Sequence, residues 1–283
     1  MNPERIYRQY RDDALACQIT ADKYSTFVAM PLNERFSYRP LQIYNEVILV
    51  AAERASKYGK TRHQFSPPRR INDEPGVAVV ITEDIIVRIL ESHLFLADLT
   101  FENPGVLLEV GVALGLKPNN QIILILQGDP STLHFDIRNN RVIRYDQPEA
   151  IDKIANALIA GANAFETDCQ LYIESITKTL SSDAILCLNW YGRLFREHPG
   201  PPPSLHRGNM GPYFQESDAS IRFSDATREL LGRRLLWSDY KVGGIPRGDT
   251  FGMHATELGW KVIEHMWVDL RRPEVSGKNK EVE

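Results

Sequence analysis

Cysteine is scarce in this chain, and Cys17, Cys169 and Cys187 are odd in number with no ligand spacing. They read as free thiols of a reducing compartment rather than as a disulfide set or a metal site. The histidines are equally uninformative: His63, His93, His134, His198, His206, His254 and His265 lack the spacing of metal ligands, so no metal is expected. No apolar run approaches the ~20 residues that span a bilayer, and Met1 to Arg5 precede a charged stretch with no signal-peptide core. A cytoplasmic protein without a membrane partner is therefore expected. Charge of one sign is missing too. A net charge of −4 gives no global attraction to nucleic acid or anionic lipid. No glycine loop that cradles phosphates is present, no serine elbow or Cys–His pair stands out, and no internal repeat occurs. Gly111 and Gly115 fall inside a predicted helix, where they are expected to permit close packing.

What is there is an ordinary globular composition, 43% hydrophobic and 25% charged over 283 residues, enough for one large or two modest domains. The first half alternates short apolar runs with helical stripes, which predicts a doubly wound, Rossmann-like parallel sheet covered by helices. Thr26 to Leu32, Leu94 to Leu99, Gln121 to Gln127 and Arg141 to Tyr145 read as strands. Helices are predicted over Pro40 to Lys57, from Thr82 through Leu90, from Asn103 to about Leu116, and over Gln147 to Thr179. The run from His198 to Pro203 cannot continue a helix. The expected division is 1–180, a Pro/Gly-rich linker at 181–211, and 212–283. In the last part, a helix over Phe223 to Trp237, a hairpin over Tyr240 to Phe251 and a helix over Ala255 to Trp267 outline a winged-helix-like α+β domain.

Two carboxylates near predicted helix starts carry the candidate chemistry. Asn103 is a good N-cap and Pro104 a good first residue, which puts Glu109 in the second helical turn among Val106, Leu107, Val110 and Ala113. Asp84 lies near the start of the preceding helix. Open α/β sheets bind ligands beside the carboxyl ends of their strands. Two carboxylates there suffice for an oxocarbenium reaction, one at the anomeric carbon and one handling the proton. The alternative for each is a structural charge or an ion pair. Asp98 ends a strand, where it can orient a sugar hydroxyl or cap its own loop. Arg35, Arg39 and Arg138 lie in loops where a guanidinium fork suits phosphate.

The stretches FVAMPLNERF, ITEDIIVRILESHLFLADLTFENPGVLLEVGVALG and HFDIRNNRVIRYD resemble the nucleoside 2-deoxyribosyltransferase-like superfamily, which includes nucleotide N-glycosidases and a TIR-like bacterial branch. The resemblance covers roughly residues 24–146. It implies that Glu109, in Glu109-Val110-Gly111, is the nucleophile, and that the catalytic acid opening the preceding helix is Asp84, with Glu83 as the alternative. It implies a nucleotide or nucleoside substrate, no cofactor, and a homodimer or higher homo-oligomer. Asp98, Asn103, Met30, Pro31, Arg35 and Arg138 are the expected substrate-binding residues. The chain departs from the pattern in the first strand, where the family's transferases carry a Tyr that orients the nucleophile. Phe27 stands nearest here, and Tyr24 and Tyr38 are out of register. Cleavage of a nucleotide or of NAD thus fits at least as well as transfer between free nucleosides, and a catalytically silent nucleotide sensor is the competing class.

From Ser217 to Glu283, eleven Lys and Arg balance eleven Asp and Glu. Neutralising phosphates takes a basic surface, so a protein partner is favoured over nucleic acid for this part. The domain order also resembles effectors of some bacterial retron anti-phage systems.

Overall fold

A computed structural model describes residues 14–19, 21–59, 63–70, 81–134, 137, 141–197, 219–238 and 253–266. The chain divides into two units, Met1–Cys169 and Gln170–Glu283.

The first unit is built on a five-stranded, wholly parallel sheet. Its strands are β1 (Thr26–Ala29), β2 (Arg69–Arg70), β3 (Leu94–Asp98), β4 (Ile122–Leu126) and β5 (Val142–Arg144), in the order β2-β1-β3-β4-β5. Helices α1 (Pro40–Ile43, Tyr44–Leu49 and Val50–Gly59), α2 (Ile81–Glu91), α3 (Pro104–Leu116) and α4 (Ala150–Thr179) alternate with them. The middle stretch of α1 is a π-helix. This is the expected α/β class. Because both faces are covered, the central strands β1, β3 and β4 read as nearly unbroken apolar runs, and their alternate residues enter different cores. Val28, Leu94, Leu96, Ile123 and Ile125 meet Ile48 and Ala51 of α1 with Ile154 and Leu158 of α4. Phe27, Ala29, Phe95, Ala97 and Leu124 meet Ile89 of α2 with Val106, Val110 and Ala113 of α3.

The chain leaves β1 outward to β2 and returns across β1 to β3. Successive connections therefore part between β1 and β3, and the crevice beyond their carboxyl ends is where such sheets take ligands. β1 ends at Ala29 rather than Leu32, and Pro31 just beyond has no amide hydrogen to continue the ladder. The glycines of α3 do not mediate packing: a Cβ at Gly111 or Gly115 would meet nothing within 4 Å. They lie on the exposed side of a helix whose buried residues are Val106, Val110 and Ala113.

The opposite, amino end of the sheet holds a buried polar cluster. Lys117, just past α3, donates from Nζ to the Ser92 carbonyl, which also accepts from Gln18 Nε2 at 2.7 Å. His93 Nδ1 accepts from the Ser25 amide at 2.9 Å, and burial pulls its pKa down to about 4. Burial likewise pulls the Lys117 ammonium down to about 7. The unfolded chain thus binds more protons than the folded one between about pH 7 and the ordinary Lys value. The buried charge costs stability in full below pH 7, and the cost fades as pH rises through that window. Lys117→Met leaves Ser92 with its Gln18 partner. It is expected to stabilise the fold at pH 6 by roughly 2 kcal/mol, with the gain vanishing near pH 10, as read by denaturant unfolding at the two pH values.

In the second unit, α5 (Ser182–Glu197) occupies the first half of the stretch expected to be a linker. Its apolar residues Ala184, Cys187, Leu188 and Tyr191 are buried, and the proline run begins only after it, outside the described residues. α6 (Ala219–Gly232) stops short of the expected Trp237, because Arg234 turns left-handed at φ 56°. The Leu235 amide then reaches the Leu230 carbonyl (2.9 Å) and the Arg234 amide the Leu231 carbonyl (3.0 Å), the paired bonds that close a helix end. β6 (Leu236–Ser238) pairs antiparallel with β7 (Met253–Ala255), and α7 (Glu257–Met266) follows. Gly259 of α7 must be glycine, since a Cβ would lie 2.0 Å from the Leu235 carbonyl oxygen. The expected hairpin at Tyr240 to Phe251 lies outside the described residues. No helix among them is long and apolar enough to cross a membrane.

Candidate functional site

The carboxyl ends of β1, β3, β4 and β5 converge on one buried side chain, Asp98, the last residue of β3. Its Oδ1 accepts from Thr100 Oγ1 at 2.6 Å and from the Thr100 amide at 3.0 Å. Its Oδ2 accepts from Tyr38 Oη at 2.9 Å and from Tyr145 Oη at 3.2 Å. Thr100 Oγ1 in turn accepts from the Gln127 amide just past β4, at 3.0 Å. Burial pushes the Asp98 carboxyl upward, and the hydrogen bonds from Thr100, Tyr38 and Tyr145 pull it back. Burial first and Asp98 second push both tyrosine hydroxyls up, so both stay protonated and donate. With both oxygens taken up internally, Asp98 organises the crevice floor rather than presenting itself to a ribose.

Tyr38, out of register in the sequence, reaches this carboxyl together with Tyr145 and Thr100. A tight turn returns the chain: the Tyr38 amide donates to the Arg35 carbonyl at 2.9 Å, with Phe36 at φ 52°. Tyr145 was not singled out either. It directly follows β5, and residues just past strand ends are where an open sheet places its site.

Glu109 is the only charged residue of α3. The helix begins as expected, with Asn103 Oδ1 accepting from the Gly105 and Val106 amides at 3.0 and 3.3 Å. That occupies the Asn103 oxygen as a cap. Glu109 is half-buried and has no hydrogen-bond or ion-pair partner among the described residues. Desolvation by the apolar neighbours pushes its carboxyl up to about 7. Asp84 is different: its Oδ2 accepts from Arg88 Nε at 2.7 Å, one turn along α2. The structural alternative, an ion pair, thus describes Asp84 and not Glu109.

Met30 and Pro31, just past β1, are buried. Arg35 is exposed, with its guanidinium carbon 5.3 Å from the Phe36 ring centroid and 5.2 Å from that of Phe101. Arg39 serves its own loop, donating to the Phe36 carbonyl at 2.9 Å and lying 3.5 Å from Glu34. Arg138 lies outside the described residues, as does the side chain of Glu83. No group of three or more His, Cys, Asp or Glu among the described residues could hold a metal ion.

The strand ends thus carry a hydrogen-bonded floor around Asp98 and exposed aromatic rings beside the Arg35 guanidinium, while Glu109 stands on α3 with no partner among the described residues and with its carboxyl pushed up by burial. No protein-family model, curated protein or solved structure matches the chain.

Proposed function

We propose that the chain is an N-glycosidase that cleaves the base–ribose bond of a nucleotide or NAD-like substrate, with Glu109 attacking or stabilising the anomeric carbon. The observation that carries this reading is the Glu109 carboxyl: half-buried, without a partner among the described residues, and pushed up to about 7 by burial. A structural carboxylate in an apolar helix is paired or turned to solvent. One left unpaired in a desolvated position is the kind of group that active sites use. Ionised, it stabilises the positive charge that builds on the sugar as the base departs. The resemblance to the deoxyribosyltransferase-like superfamily supports the same role. Asp98 fixes the strand ends through Tyr38, Thr100 and Tyr145, which keeps the floor rigid while the sugar distorts. No metal or organic cofactor is needed for this chemistry.

Incubation with NAD, nucleoside monophosphates and deoxynucleosides tests the reading, with free base as the readout. Release of base by hydrolysis is the expected result. Base exchange between deoxynucleosides would favour the transferase instead. The Asp84–Arg88 pair favours one other reading, a silent nucleotide sensor, because it engages the second carboxylate. Calorimetry that finds tight binding, with the nucleotide returned intact, would establish the sensor.

The α6, β6–β7, α7 order supports a winged-helix-like output domain that contacts protein. Three of its described arginines are engaged: Arg222 with Asp183 at 2.6 Å, Arg228 with Asp225 at 2.8 Å, and Arg233 with Glu229 at 3.2 Å. Dimerisation through the first unit belongs to the same proposal. Leu108, 66% exposed on α3 beside Gly111 and Gly115, offers an apolar face. Light scattering at micromolar concentration is expected to give a dimer; a fully active monomer would remove that part.

A further inference from the structure

Phe36 and Phe101 present two large rings at the crevice, 78% and 42% exposed, with centroids 6.0 Å apart. Both sit in left-handed backbone, at φ 52° and 63°, and Glu102 follows at φ 46°. Three such non-glycine residues in one place cost of order 1–3 kcal/mol each, and what they achieve is to hold two apolar rings out of the core. The Phe101 ring also packs edge-on against Tyr38, 5.7 Å between centroids, so it is tied to the Asp98 floor. One group already uses the pair: the planar guanidinium of Arg35, 5.3 and 5.2 Å from the two centroids. Arg35 has no hydrogen bond or ion pair from that guanidinium among the described residues. The rings therefore serve a flat cation through their electron-rich faces.

A second observation bears on the leaving group. A neutral base leaves a sugar readily when a proton is supplied to it, and Asp84, the expected donor, is an acceptor in its bond to Arg88. Glu109 cannot give a proton while acting as the carboxylate at the anomeric carbon. A base already cationic at its glycosidic nitrogen needs no proton. The C–N bond breaks with both electrons passing to the ring nitrogen, and the base departs neutral. Water then gives its hydroxyl to the anomeric carbon and its proton to solvent.

We propose that the Phe36–Phe101 pair is the seat of a planar cationic heterocycle, an N-alkylated pyridinium of the NAD type, whose place the Arg35 guanidinium holds in the free protein. As an assignment of substrate class it rests on the N-glycosidase reading, but the seat itself can be tested without turnover. Full-length protein is titrated with 1-methylnicotinamide, a pyridinium cation lacking ribose and phosphate, and with neutral nicotinamide, and binding is followed by calorimetry. The cation is expected to bind about tenfold more tightly than the neutral ring. Phe101→Leu is expected to weaken the cation about tenfold, and Phe36→Leu, at a more exposed position, to do the same. Arg35→Ala empties the seat and is expected to tighten the cation severalfold. Equal affinity for the two rings, no binding of either, or affinity unchanged in both Phe variants would overturn the seat. Selective cation binding with NAD left intact would sink the glycosidase and keep the seat; NAD cleavage without selectivity would do the reverse.

Discussion

Glu109→Gln is expected to abolish base release, by at least about 10³-fold, while making the protein more stable at pH 8. The two effects share one cause. Burial raises the folded-state carboxyl to about 7, whereas the unfolded chain titrates near the ordinary Glu value of about 4.3. Between those values the folded state holds a proton that the unfolded state has released. Stability therefore falls as pH rises through that window and stays low above it. Discounted for partial exposure, the cost above pH 7 is roughly 2 kcal/mol. The amide keeps the shape and carries no charge, so the variant recovers that amount at pH 8 and little at pH 4. Thermal melts at the two values read the difference, expected at about 4–8 °C for a unit of this size. A carboxylate kept for structure would give the opposite sign, with the variant less stable at pH 8.

Asp98→Ala is expected to cost about 3 kcal/mol or more of stability. Removing the carboxyl leaves the fully buried Tyr38 hydroxyl with only the Pro31 carbonyl, 3.4 Å away, and takes the carboxylate acceptor from the Thr100 amide and from the Thr100 and Tyr145 hydroxyls, which keep only their mutual bond of 2.9 Å. Each buried donor left unsatisfied costs about 1–3 kcal/mol. Relief from burying the carboxyl offsets part of that. Asp98→Asn keeps an acceptor for Thr100, and the tyrosine hydroxyls can turn to accept from its amide, so about 1 kcal/mol is expected. Urea unfolding of the two variants decides the matter. Equal losses would mean that the network is not what joins the four strand ends.

Most of the sheet was readable because it is buried on both faces. Leu94 to Ala97 and Ile122–Leu126 are unbroken apolar runs, and the Asn103–Pro104 start of α3 is a local capping signal that tertiary contacts leave alone. Glu109 was readable for the same reason, as the one charge in an apolar helix. What could not be read depends on contacts distant in sequence. Tyr38 meets Asp98 across 60 residues and Tyr145 meets it across 47, and neither has a periodicity that announces it. Asp98 was expected to orient a sugar hydroxyl or to cap its own loop; the cap is there, in the bonds from Thr100 two residues on, while the two tyrosines that claim its other oxygen come from distant loops. The ion pair of Asp84 was only four residues away, at helical spacing to Arg88, and the role implied by the resemblance outweighed it. The glycines of α3 misled because sequence cannot tell which side of an all-apolar helix faces the sheet.

The most direct test of the proposal is base release from NAD and nucleoside monophosphates between pH 5 and 9, for wild type and Glu109→Gln side by side. Wild-type activity is predicted to rise with pH through a single ionisation near 7, as the buried carboxyl becomes the charged form that attends the sugar. The variant is predicted to show neither the activity nor the ionisation. Equal, slow release from both proteins, with no dependence on pH across that range, would contradict the account.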